Sequence, residues 1–427
     1  MTVKAKAPDG GHPGTARQVE DAVRIEIEER GAMVAAKRPG LVLFAAGFRP
    51  FFLLAGIQAA VGLAMWMVLY QGWGGLGLTF DPVLWHGHEM VYGFATAALA
   101  GFLLTAVPNW TGATYLKGQP VAALTLVWLA GRVAFWLAGM LPPALVAAAD
   151  LAFLPLLVAV LAPALVAAAK PRNLVFLPVL LLLWAGDGLV HIDLLGWGAT
   201  GRTGLLLGIY VLLLMISVVG GRIIPAFTDT GLRQRGSAAQ ARSCRPLEMA
   251  AVASTALVGL AEVLWPGSPL IGPLALAAAA IHLVRLAGWR GMEVLHAPLL
   301  WVLHAGYLWL VIGLALRGLA AFGVMPANAA LHAFTAGAIG TMVMGVMTRA
   351  ALGHSGRPLR LPAAIVAAYL LVVLSALLRV FLPVLAPGLD SGLSAGLAGI
   401  AWMAGWSLYV VVYLPVCVLP RADGRPG

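Results

Sequence analysis

The sequence predicts an all-α fold: a polytopic transmembrane helix bundle of about twelve spans. Three observations predict it. Of 427 residues, 61% are apolar and only 10% charged, where a soluble domain carries about a quarter charged, and the mean hydropathy is +0.93. About twelve stretches reach the roughly 20 mostly apolar residues that cross a bilayer. Basic residues gather in every second connection between them. This composition excludes a water-soluble globular enzyme. It also excludes a nucleic-acid-binding protein, because the net charge of +10 comes from Lys and Arg set between apolar runs, which is how an inner-membrane protein orients itself.

Residues 1–43 mix both charge signs ("VRIEIEERG") with Gly and Pro and contain no apolar signal core. They read as a mobile cytoplasmic tail with one short helix, not as a cleaved signal peptide. The spans of the domain at 44–419 then lie near 48–71, 84–107, 120–140, 144–168, 174–195, 203–226, 247–265, 269–288, 296–321, 327–348, 362–385 and 393–419. Continuous runs such as "LVFLPVLLLLWAG" specify helices and not alternating barrel strands. The longest internal loop, near 227–246, is basic and marks the join of two six-helix halves, with no sequence repeat between them. Residues 420–427 form a short cytoplasmic tail. Cys244 and Cys417 make no CxxC or CxxCH, which argues against a disulfide framework and covalent c-type haem. "QGWGGLGL" follows no strand and so is no phosphate loop.

The basic connections carry Lys117, then Lys170 and Arg172, then Arg222 to Arg245, and so on to Arg421 and Arg425, whereas the opposite connections hold only Arg202. The positive-inside rule therefore places both termini in the cytoplasm. In that topology His86, His88 and Glu89 stand at the outer end of the second span, Asp187 and His191 in the outer half of the fifth, and His332 about one turn into the tenth. Arg132, Arg317 and Arg379 fall at the same level. Ionisable groups in lipid are costly enough that each is a functional candidate.

Imidazole is the commonest metal ligand and holds haem iron or copper, and arginine forks suit carboxylates such as haem propionates. Asp187 and His191, four apart, share a helix face, so the aspartate is a candidate to orient the imidazole. His86 and His88, two apart, point about 200° from each other on a helix and so do not grip one metal from the same side. Each of these residues also has a plain reading: histidines wetted at a helix mouth, a buried structural pair, arginines snorkelling outward. Met342, Met344 and Met347 read as core filler. His12, His282, His296 and His354 attract no role from spacing.

Several strings go further: "FRPFFLLAG", "WHGHEMVYGFATAALAGFLLTAVPNWTG", "GGRIIPAFT", "HAGYLWLVIG" and "LHAFTAGAIGTMVMGVMTRAALGHSGR". Together they resemble the NnrS family of bacterial membrane proteins, over about residues 44–419. The resemblance implies a haem- and copper-containing inner-membrane protein of the nitric oxide and nitrosative-stress response, often in denitrifying bacteria. Its histidine-bearing motifs fall here on His86, His88, His304, His332 and His354. Histidines on spans two and ten also resemble subunit I of haem–copper oxidases, in which those helices supply the axial pair of the low-spin haem. That likeness stops at the fold, because paired histidines on span seven and a His–Pro–Glu motif on span six are missing.

The resulting expectation is a bundle binding haem b and copper, with one of His86 or His88 facing His332 across the iron. The other helix-two histidine, with His304 and His191, forms the second-metal set, and Arg132, Arg317 and Arg379 pair with propionates. Nitric oxide is the expected small-molecule ligand, arriving through the lipid, and an electron donor or denitrification proteins are the expected partners. Two alternatives stand beside this one: a secondary transporter with a buried His/Arg/Asp site, which would show inverted repeats and broken helices, and an assembly factor holding no cofactor.

Overall fold

The computed structural model describes residues 42–73, 77, 78 and 80–425. The expected N-terminal tail, with its short helix and His12, lies outside these residues except for its last two. In chain order the helices are α1 (Phe48–Tyr70), α2 (Pro82–Thr111), α3 (Gln119–Trp136), α4 (Pro143–Ala167), α5 (Pro171–Leu194) and α6 (Gly201–Gln234). They continue as α7 (Arg245–Leu264), α8 (Ile271–Gly288), α9 (Pro298–Ala321), α10 (Ala327–His354), α11 (Ala363–Leu385) and α12 (Ser391–Val418). Among the described residues no strand occurs, and eleven of these helices are long and apolar enough to cross a membrane. The remaining one, α3, has its apolar run diluted by Gln119, Pro120 and Arg132.

Local chemistry begins the helices. The Asp81 carboxylate accepts the Val83 amide at 2.8 Å, and Pro82 supplies a ready-made helical φ at the first position of α2. Asp390 accepts from Leu393 N at 2.9 Å at the head of α12. At its other end α6 runs on to Gln234, so the first part of the loop expected at 227–246 is helical. Leu232 there buries itself against Val294 and Leu300, contacts that hydropathy alone does not reveal.

The helices differ sharply in burial. The apolar window of α2 is 89% buried and that of α7 only 33%, which makes α2 the axis of the bundle and α7 a lipid-facing wall. Around that axis α1 packs on α12, α12 on α11, α5 on α6 and α8 on α9. Buried Arg49, from the "FRPFF" string, joins the two ends of the domain. Its Nη1 donates to the Val416, Cys417 and Leu419 carbonyls at 3.2, 3.1 and 2.8 Å, satisfying the orphan acceptors at the end of α12. Beyond it Arg421 donates to the His354 carbonyl (2.6 Å) and to Asp423 (2.6 Å), holding the Asp423 carboxyl down at about 2. The described part of the C-terminal tail is therefore tied to the end of α10.

Two helices are irregular in the same way. Directly after His88 in α2, and directly after His332 in α10, the backbone changes to π-helix, over Glu89–Ala95 and Ala333–Gly340. A π segment widens the helix and re-aims the side chains around it; such segments are rare and concentrate at functional sites. From the first of them Tyr92 reaches between α5 and α6 and donates to the Gly204 carbonyl at 2.6 Å. Glycine is required beside it, since a Cβ on Gly208 would stand 2.5 Å from the tyrosine oxygen.

Candidate metal centre

The up-and-down path brings the starts of α2, α4 and α10 to the same end of the bundle as the ends of α3, α5, α9 and α11. His86, His88, Arg132, Asp187, His191, Arg317, His332 and Arg379 therefore share one level, as the spacing of charges predicts. They do not form one site. They divide into a metal-like cluster, a histidine–arginine group and a separate ion pair.

The cluster contains His88 from α2, Asp150 from α4, and Asp187 and His191 from α5. One ligand atom from each lies within 4.8 Å of all the others, and all four residues are buried. His88 Nε2 stands 2.8 Å from Asp187 Oδ1 and 2.9 Å from Asp150 Oδ2, while His191 Nε2 is 2.9 Å from Asp150 Oδ2 and 3.8 Å from Asp187 Oδ1. Nitrogen and oxygen ligands about 2.0–2.1 Å from a tetrahedral ion are roughly 3.3–3.4 Å apart, so the four separations bracket a coordination shell. Gly131 of α3 permits the approach: a Cβ there would lie 2.8 Å from Asp150 Oδ1 and 3.0 Å from its Cα.

A surrounding shell fixes these groups. Arg132 donates to Asp150 Oδ1 and to Glu89, which leaves Asp150 Oδ2 facing the cluster. Glu89 also accepts from Gln58 and, at 2.7 Å, from Trp136 Nε1. His88 stacks on Phe135 with ring centroids 3.7 Å apart. His88 Nδ1 lies 3.4 Å from Glu89 Oε1 without a hydrogen bond between them, so a ligand bond at Nε2 would leave the Nδ1–H beside a carboxylate. With neutral imidazoles, three carboxylates (Glu89, Asp150, Asp187) against one guanidinium (Arg132) leave a formal charge of −2 in a fully buried pocket. Uncompensated charge there is costly. A divalent cation cancels it, and so do two imidazolium protons.

His86 points elsewhere. Its ring stacks on Trp66 at 4.6 Å, and its Nδ1 is buried without a hydrogen-bond partner. It lies within electrostatic reach of His332 and Arg379. His332 Nδ1 donates to the Asn328 carbonyl at 2.9 Å, which fixes its tautomer and leaves the lone pair on Nε2. Among the described residues Arg379 has no carboxylate partner. The two helix-two histidines thus serve two different groups, as their 200° separation requires.

Other expectations land differently. Arg132, expected to pair with a propionate, is occupied by Glu89 and Asp150, and Arg317 by Glu262. Arg379 alone of the three is left open. His304 sits at the opposite end of the bundle, its Nδ1 donating to the Leu300 carbonyl at 3.1 Å and its Nε2 3.4 Å from Thr228, so the structure does not join it to the helix-two histidines. Asp187 is a full member of the cluster alongside His191, where the sequence casts it as an orienting partner. Asp150 is the residue that the sequence reading passes over. Its signal was an acid inside an otherwise apolar run, "PALVAAADLAFLPLL".

No curated protein matches the chain. A family model described as NnrS protein matches residues 42–421, most of the chain. The protein therefore belongs to the NnrS family.

Proposed function

We propose that this is a haem b- and copper-binding protein of the bacterial inner membrane that acts in the nitric oxide response, with its arginine-bearing connections and both termini in the cytoplasm. Membership of the NnrS family supports the nitric oxide role. The observation that carries the metal is the buried four-ligand cluster of His88, Asp150, Asp187 and His191 with its formal charge of −2. Two imidazoles and two carboxylates suit a divalent first-row ion, and Cu²⁺ binds such nitrogen and oxygen sets most tightly of the series.

For haem the supporting residues are His86, with its orphaned buried nitrogen, His332, with its free Nε2, and Arg379, with no carboxylate partner. The histidines would hold the iron and Arg379 would pair with a propionate. Bound haem supplies a redox-active iron that nitric oxide can coordinate. The chain's own part is to exclude water, with Trp66 stacked on His86 and with Phe135 and Trp136 packed on His88 and Glu89, and to admit an apolar gas from the lipid.

The test is a pair of variants in purified protein. His332→Ala should remove the haem spectrum and leave copper in place, and Asp187→Ala should remove copper and leave haem. Loss of neither cofactor from either variant would refute the assignment.

A further inference from the structure

At the end of the bundle opposite the metal cluster a cleft of about 530 Å³ opens between α5, α6 and α7. Its mouth is cationic. Arg172 begins α5, Arg222 lies on α6 and Arg285 comes from α8, with Glu248 of α7 the one acidic residue in its lining, so the mouth carries a formal +2. Two of the arginines are held in place. Arg222 Nη2 donates to the Arg172 carbonyl at 2.8 Å. Arg285 is buried, donates to the Ser217 carbonyl (2.9 Å) and Tyr307 hydroxyl (2.7 Å), and is paired by Glu248. Arg285 and Glu248 therefore neutralise each other. Arg172 and Arg222 have no carboxylate partner among the described residues.

Below the mouth the lining turns apolar in two matched stripes. On α6, Leu214 and Val218 lie two turns and one turn inward from Arg222; on α7, Val252 and Ala256 lie one and two turns inward from Glu248. Eight residues of helix cover about 12 Å. The cleft thus joins two open guanidinium groups to an apolar trough running into the membrane. A free anion would use the first part and have no need of the second.

We infer that this cleft binds one anionic phospholipid, its phosphodiester on Arg172 and Arg222 and an acyl chain along the α6–α7 trough. Basic sites between transmembrane helices on the cytoplasmic side recognise anionic headgroups in this way, with about 1 kcal/mol from each surface arginine. The inference does not depend on the metal reading, because the two sites lie at opposite ends of the bundle.

Native mass spectrometry of the full-length protein in detergent tests it. The probes are phosphatidylglycerol and phosphatidylcholine with identical chains, and inorganic phosphate as a competitor. The wild type should retain phosphatidylglycerol about tenfold or more over phosphatidylcholine, and phosphate should not displace it. The double variant Arg172→Gln/Arg222→Gln should lower phosphatidylglycerol affinity by about thirtyfold and erase the preference. Ala256→Phe, which blocks the trough and leaves the arginines intact, should also release the lipid. Circular dichroism confirms that each variant is folded. No preference in the wild type, an unchanged preference in both variants, or displacement by phosphate with no loss in Ala256→Phe would overturn the proposal; the last would mark a free-anion site.

Discussion

His88 and Asp187, 99 positions apart in the chain, share a 2.8 Å contact in a site sealed from solvent. The contact joins α2 to α5 at the point where α2 changes from α- to π-helix. Tyr92, one turn further on, ties α2 to α6 as well, through the Gly204 carbonyl. The cluster is therefore not a chance meeting of polar side chains; it is built on the most buried helix of the bundle.

The shell behind the ligands should matter nearly as much as the ligands. Arg132→Gln keeps a hydrogen-bonding side chain but removes the charge that holds Asp150 and Glu89. Metal affinity should fall about 10- to 100-fold, with helical content unchanged. Metal titration of the metal-free protein, followed by calorimetry, measures it. Wild-type affinity in this variant would place Arg132 outside the site's support.

The π segment and the small residues facing it form one packing unit. Gly208→Ala places a methyl group against the Tyr92 hydroxyl and Val91, 2.5 and 2.7 Å away. Overpacking of this kind costs about 1–3 kcal/mol. Thermal unfolding in detergent should show a lower Tm, accompanied by reduced metal occupancy because α5 carries Asp187 and His191. An unchanged Tm would show that the helices can separate at no cost.

Arg317 is the ion-pair partner of Glu262. Glu262→Leu alone should destabilise the protein by about 2–3 kcal/mol by leaving a charge without its partner, whereas Glu262→Leu/Arg317→Met should recover most of the loss. Haem content should be the same in both. A fall in haem in the double variant would return Arg317 to the role of propionate partner.

Much of this was legible in the sequence. Charge alternation and apolar run lengths locate the helices, and depth alone groups His86, His88, His332 and the three arginines at one end. Partners were not legible, because they depend on helix rotation. Asp150 and Glu89 claim Arg132, and Glu262 claims Arg317, only once α3, α4, α7 and α9 have packed. The π segments were hidden as well, since "EMVYGFA" and "AFTAGAIG" carry no period that differs from ordinary helix. Arg49 shows the same limit: its string is recognisable, but its grip on the end of α12 bridges more than 360 positions.

The histidines divide by end of the bundle, and substitution should reveal the division. His304→Ala, next to Thr228 and far from both clusters, should leave haem and copper content unchanged. His86→Ala and His332→Ala should each abolish the haem spectrum. Reduced-minus-oxidised spectra with elemental analysis compare the three directly, and loss of either cofactor from His304→Ala would show that the two ends communicate.

The central claim is that the buried His/Asp cluster holds a metal and the His86–His332 pair a haem. Its most direct test is the iron, copper and haem content of detergent-purified wild-type protein, with the spectrum recorded before and after nitric oxide is added. The account predicts about one haem and one copper per chain and a nitric oxide-induced spectral shift. Folded protein containing neither iron nor copper would contradict it, and the cluster would then be a charge-balanced proton or solute site of the kind transporters carry.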